Sequence, residues 1–381
     1  MTRHRIPLIC LLTTLHVACT ANDAEWRDID QPLPAVFVIT TDFHSGSSAT
    51  IDPAAFTVHR DIHFLHSDSV CRYDAAHRRM FVVQRWGADA IAVVEPTKGW
   101  RLTDEYSVGN GSNPQDIAVV ASDKAYVSRL QHASLRIINP VSGAHRGDIP
   151  LGHLADADGL PEAAQMLVHG EHVFVALQRL DATQGYRPTD HSLIAVIHHP
   201  TDTVVTALPT AMPNPSAPLR YSPGLSAIVV VTTGTWSIMN PDPTPDGAIE
   251  YLDPTALTLS GPIMTEADLG GDLVDAIIVG PELGFAIVAY LGTDGPATRL
   301  VRINPEKRQV TATLLESDRW AYAAMALSPD GASLWVADRT PNAPGIRILS
   351  TDADGPSADT PLLNTGLPPQ GICATHDDTT P

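Results

Sequence analysis

The chain has 381 residues, 44% of them hydrophobic, with 32 prolines and 26 glycines, which suits a turn-dense all-β protein with a good core. Its formal charge is −19, and only three of its basic residues are lysines (Lys98, Lys124 and Lys307). So acidic a surface excludes general nucleic-acid binding, which neutralises phosphates with basic side chains, and mainly favours solubility.

Residues 1–18 start basic (Arg3, His4, Arg5) and run apolar from Ile6 to Leu15. That run is too short to stay across a bilayer, and it reads as a secretory signal. Its removal takes Arg3 and Arg5 with it and leaves a charge of −21. The string Leu15-His16-Val17-Ala18-Cys19 resembles the lipobox of bacterial lipoproteins, with His16 standing where Leu is usual. The resemblance implies that Cys19 is acylated after cleavage and ties the protein to a membrane. Thr20 in place of Asp after the cysteine implies the outer membrane. Without acylation the same signal releases a periplasmic or secreted protein. Residues 19–34 are polar and contain proline, as a tether does, and residues 35–381 read as one domain.

From about residue 36 the chain repeats. "AVFVIT", "SSATIDP" and "FTVHRDI" supply three strands. Arg72 to Val108 is a second unit. The clearest copy follows: Asn113 to Val120, Lys124 to Arg129, Leu135 to Pro140, then His145 to Leu151 after a Ser142-Gly143 turn. Each piece is short, rich in Val, Ile, Tyr or Leu, and bounded by Gly, Pro, Asn or Asp, the pattern of strands joined by tight turns. Further units occupy Leu160 to Leu208, Pro218 to Pro262, Asp275 to Leu315, and Trp320 to about Asn364. Four strands in roughly 40–50 residues is the period of a propeller blade. The last segment, Pro369-Gln370-Gly371-Ile372-Cys373-Ala374, matches the opening of the clear copy, Pro114-Gln115-Asp116-Ile117-Ala118-Val119. It supplies the innermost strand that the first unit lacks. The fold expected is an all-β, seven-bladed β-propeller of four-stranded antiparallel blades, its first blade closed by the C-terminal strand so that no sheet edge is left free. No helical pattern long enough for a parallel α/β fold is present.

The string Tyr126-Val127-Ser128-Arg129 with Ile137-Ile138-Asn139-Pro140-Val141-Ser142-Gly143 resembles the YVTN-type β-propeller repeat. Asn139 and Pro140 replace part of the usual turn after the third strand, and elsewhere the resemblance survives mainly as the period. It implies fold and an exported location, and it implies no reaction.

Of four cysteines, Cys10 lies in the signal and Cys19 is the acylation candidate. Cys71 and Cys373 fall on the innermost strands of neighbouring blades, where a disulfide would lock the ring closed. Two small buried residues filling the hub is the other reading. Arg85, Arg129, Arg179 and Arg339 fall at or near second-strand ends, on the face that also carries the loops between blades. They suit an anion-binding rim at the channel mouth. Pairing with Asp116, Asp156, Asp158, Glu162, Asp272 or Asp275 would instead make them structural. The loop Asp156-Ala157-Asp158-Gly159-Leu160-Pro161-Glu162 could offer oxygens to Ca²⁺, although a similar Asp352-Ala353-Asp354-Gly355 points to ordinary turn chemistry. No other cofactor and no catalytic residue is indicated. His59, His63 and His66, and the adjacent His198-His199, match no zinc pattern. Trp86, Trp236, Trp320 and Trp335 would either line a sugar pocket or pack between blades.

These observations favour a monomeric, envelope-anchored binding or scaffold propeller over an enzyme. It would take a partner protein or a small anionic ligand on the loop face. A metal-dependent lactonase or hydrolase using the central channel, with Asp156, Asp158 or Glu162 on its ion, is the alternative.

Overall fold

A strand buried on both faces cannot show polar alternation, and the second strands here do not. Arg79–Gln84, Lys124–Arg129, His172–Leu177, Ala227–Thr232, Leu283–Gly292 and Ser333–Asp338 each have a run of consecutive apolar residues at their centre. Each therefore needs a covered surface on either side. A computed structural model describes residues 29–30, 33–189, 191–236, 245–352 and 362–375 and shows how this is met. The signal segment, Cys19 with most of the tether, and the Ala353-Asp354-Gly355 turn lie outside them.

Seven antiparallel sheets stand around a common hub in chain order. Blade one takes its inner strand from the chain's end, Pro369–Ala374, paired with Val36–Thr41 and then Gly46–Ile51. Its outer strand is split: Val58–His59 pairs with one end of the third strand and Phe64–Leu65 with the other. Blades two to seven run inner to outer in sequence. Their inner strands are Ser69–Asp74, Pro114–Ala121, Ala163–His169, Arg220–Ser222, Asp272–Gly280 and Tyr322–Leu327. Blade four carries an extra hairpin, Leu180–Asp181 with Arg187–Pro188, between its second and third strands. A single helical turn, Glu266–Leu269, starts with a Thr265–Asp268 capping box and joins blades five and six.

The core is seven apolar seams, one at each blade junction. Met80 and Val82 face blade one, whereas Phe81 and Val83 face blade three, so consecutive residues of one strand fill two seams. Trp335 packs into the seam between blades seven and one, and Trp100 stacks on Phe37 between blades one and two, their centroids 5.7 Å apart. A fully buried side chain of this size contributes about 1.5–3 kcal/mol. Because each seam needs both neighbours, a missing blade would expose two of them.

Closure happens at blade one. Val36 pairs with Ala374, and the backbone of Ala35 exchanges hydrogen bonds with Thr375. Both ends of the ring-forming chain thus leave side by side, on the face opposite the second-to-third-strand turns. Cys71 and Cys373 are joined by a disulfide, with Cα atoms 6.1 Å apart, tying the closing strand to blade two. The bond closes a loop of 302 residues. Replacing both cysteines by serine should lower unfolding free energy by about 2–5 kcal/mol and raise the denaturant m-value. Equilibrium denaturation checks this, and an unchanged midpoint would show that the bond adds nothing to closure.

Candidate functional site

The inner strands surround a cavity of about 470 Å³ on the ring axis. Sequence places two arginines on its wall, Arg72 on blade two and Arg220 on blade five, each followed by Tyr. Arg72 grips Asp116 of blade three with Nε and Nη2, and Nη2 also donates to the Met166 carbonyl of blade four at 3.0 Å. Asp116 in turn accepts the Met166 N–H at 2.8 Å. The second half of the ring repeats the device. Arg220 holds both oxygens of Asp275 on blade six and donates to the Met325 carbonyl of blade seven at 3.3 Å. Each clamp therefore crosses three consecutive blades.

Kinks in the inner strands make the second and third steps possible. Ladder register shifts between Ala163 and Met166, between Leu273 and Asp275, and between Tyr322 and Met325. Such bulges redirect side chains and backbone groups toward the hub. Asp116 and Asp275 are buried, whereas the arginine side chains keep 29% and 25% of their exposure. Burial works against the charge on Arg72, but the Asp116 carboxylate more than offsets it and raises its pKa. Neither Arg72 Nη1 nor Arg220 Nε bonds to a described residue. Each of the three arginines that line the cavity is matched by one carboxylate, Arg72 by Asp116, Arg220 by Asp275 and Arg85 by Asp68.

The four rim arginines have separate surroundings. Arg85 lines the cavity, pairs with Asp68 through Nε at 2.8 Å, and reaches Gln115 at 3.2 Å. Arg129 is buried in blade three against Asp148 and Ser134, and burial lowers its pKa. Arg179 reaches the His191 carbonyl at 3.2 Å. Arg339 fastens the closing strand: it donates to the Pro369 carbonyl, Gln370 Oε1 and the Thr41 carbonyl, and lies 4.6 Å from the Phe43 ring centre. Only Arg85 of the four lines the cavity. Asp116 and Asp275, considered as rim partners, hold Arg72 and Arg220 instead.

The loop at Asp156 is built as a turn that pins the extra hairpin. Asp158 accepts N–H groups from Leu160 and Ala182, and Glu162 accepts that of Leu180 at 3.0 Å. Burial raises Asp156, and the two N–H groups hold Asp158 low although burial opposes them. Glu162 is 1% exposed, and burial pushes its pKa up to about 8. None of the three lines the cavity, and among the described residues no group of three or more His, Cys, Asp or Glu is placed to hold a metal ion. His63 is a strut between blades one and two: Nε2 bonds the Trp100 carbonyl at 2.8 Å, and Nδ1 bonds Ser48 Oγ at 2.7 Å. Burial lowers its pKa to about 4. Trp236 and Trp320 meet edge-to-face at 5.7 Å, and Trp86 is largely exposed.

No protein-family profile and no curated protein matches the chain by sequence. Its fold is similar to several solved propellers. One, from Bacteroides uniformis, carries a provisional assignment as a 6-phosphogluconolactonase; it is 13% identical, with TM-score 0.60 over 89% of this chain and 98% of that one. A functionally unknown protein from Desulfotomaculum acetoxidans gives 0.58 at 10% identity, covering 90% and 99%. The Dos1 propeller gives 0.56 at 10%, covering 89% and 84%. Likeness at this identity establishes the fold alone.

Two buried groups set opposite pH limits. His63 titrates lower folded than unfolded, so its contribution is whole above about pH 6.5 and is lost as pH falls through about 4. Glu162 titrates higher folded than unfolded, so its contribution is whole below about pH 4.5 and is lost as pH rises through about 8. Glu162→Gln keeps an acceptor for Leu180 and should recover roughly 1–3 kcal/mol at pH 9 while changing little at pH 5. Unfolding free energies at the two pH values check this. An equal effect at both would show that Glu162 does not hold the extra proton.

Proposed function

We propose that the protein is a non-enzymatic binding propeller that takes a small anionic ligand in its axial cavity. The observation behind this reading is the wall itself. Two guanidinium groups are held rigidly by carboxylates and carbonyls of neighbouring blades, and each retains a donor that no described residue uses. A preorganised guanidinium costs little entropy when it receives an anion. The three lining arginines set guanidinium donors around the axis of a chain whose overall charge is −19. Arg85 at the mouth extends this wall toward the loop face, so the rim reading narrows to one of its four arginines.

The protein is exported and held by an acylated Cys19, and its repeats belong with the YVTN type, as the sequence resemblances imply. Both ends of the ring leave on the face opposite the second-to-third-strand turns, so a tether at the N-terminus would leave the loop face free for a ligand or partner protein. The hydrolase alternative has less support, because Asp156, Asp158 and Glu162 hold turn and hairpin N–H groups away from the cavity wall.

Calorimetric titration with small carboxylates and phosphate should give saturable binding. Arg72→Gln should weaken it at least tenfold, since a charge-assisted hydrogen bond is worth about 1.5–3 kcal/mol. Circular dichroism and the melting temperature of the variant must show a folded ring. Undiminished binding in a folded Arg72→Gln variant, or no binding of any anion by the native protein, would refute the reading. For the anchor, Cys19→Ser should abolish incorporation of labelled fatty acid and release the protein from the membrane fraction. Continued labelling would place the acyl group elsewhere.

A further inference from the structure

Blade five differs from the rest at the hub. Its inner strand has three residues, Arg220–Ser222, against six to nine in every other blade. The sequence explains the shortening. Pro213, Pro215 and Pro218 precede it, and a proline has no N–H for the ladder and restricts the residue before it. Asn214 adds a left-handed turn at φ 61°. The sheet therefore pairs only from Arg220 onward, where Arg220 faces Val229. Above that point Ser216, Ala217, Pro218 and Leu219 line the cavity as irregular backbone.

This leaves main-chain groups without the usual partner. Beyond the second strand of blade five, the N–H groups of Thr233 and Gly234 bond back to Asn214 and Pro213. The stretch between is bridged by one side-chain contact, Ser216 Oγ to Thr233 Oγ1 at 2.6 Å. The backbone N–H groups of Ser216, Ala217 and Leu219 donate to no described residue. Ala217 and Leu219 are nevertheless buried, at 3% and 2% exposure. Buried backbone donors are nearly always bonded, so unused ones on a cavity wall mark a place for a ligand or ordered water.

Their surroundings favour an anion. Arg220 follows directly, and its Nη1 and Nη2 already occupy both oxygens of Asp275, which masks that carboxylate. Its Nε is not used by any described residue. Main-chain N–H groups outside a ladder can serve as anion donors. Three prolines stiffen this segment, so its geometry does not have to be ordered on binding.

We infer that the blade-five wall, Ser216 to Arg220, is the element that recognises the anion, receiving a carboxylate or phosphate oxygen on main-chain N–H groups beside the Arg220 guanidinium. The inference rests on the cavity-binding reading above and specifies which wall does the recognising.

The test follows the amide signals of Ala217 and Leu219 in protein labelled with ¹⁵N-alanine and ¹⁵N-leucine, assigned through Ala217→Gly and Leu219→Ile. The native protein is titrated in separate arms with acetate, with inorganic phosphate and with erythritol, an uncharged control. Downfield movement of both amides with an anion, saturating together with the calorimetric heat and absent with erythritol, supports the assignment. Whichever of acetate and phosphate produces it identifies the source of the oxyanion. Anion binding that Arg72→Gln weakens, with both amides unmoved, overturns the blade-five assignment and leaves the cavity reading standing. Failure of both anions to bind overturns both readings.

Discussion

The structure depends on one constraint: every blade is apolar on two faces, so no blade can stand at an end. Phe81 and Met80 sit next to each other in sequence and fill seams on opposite sides of blade two. An open row of seven such sheets would leave two large apolar faces in water. Only a ring satisfies them all, and a ring must be closed after the whole chain has been laid down. The last strand, Pro369–Ala374, does this by pairing with the first, Val36–Thr41, across more than 300 residues. Three further devices act at the same place: the Cys71–Cys373 bond on the blade-two side, Arg339 on the blade-seven side, and Thr375 against Ala35 at the base.

Closure also fixes the chemistry of the axis. Seven inner strands meet around a narrow space, and their edges bring charged side chains and unpaired backbone into it. Blades two to four and blades five to seven answer this in the same way, with an arginine, an aspartate and a methionine carbonyl on successive blades. Two half-rings thus carry equivalent clamps, and blade one with its disulfide joins them on one side. On the other side, between blades four and five, no such clamp is present among the described residues. That is where the proline-rich segment from Pro213 to Pro218 replaces part of a strand. Desolvated ion pairs of this kind add little net stability over apolar packing, but losing one partner is costly, and they fix geometry. Here they fix the direction of two guanidinium groups on the cavity wall.

Much of the ring was legible in the sequence. The period, the apolar second strands and the likeness of residues 369–374 to residues 114–119 sufficed for seven blades and for the way they close. The hub pairs were harder to read. Arg72 and Asp116 are 44 residues apart, and Arg220 and Asp275 are 55 apart, so no local spacing connects them. A faint signal did exist: Arg-Tyr recurs at residues 72–73 and 220–221, and an aspartate opens the apolar part of each following inner strand. Arg339 shows the converse difficulty. It shares a blade position with Arg85, but the last blade must also hold the closing strand, and this gives the same residue type a different task. Around Glu162 the loop has the composition of an ion site, yet the hairpin inserted in blade four takes up one oxygen each of Asp158 and Glu162. The repeat period alone gave no sign of that hairpin.

The most direct test of the account is a crystal structure of the protein grown with a saturating small organic anion. The account predicts density for the anion inside the axial cavity, within hydrogen-bonding distance of Arg72 or of the wall from Ser216 to Arg220. Density against Arg129, Arg179 or Arg339, with water alone on the axis, would contradict it and return the binding face to the outer rim.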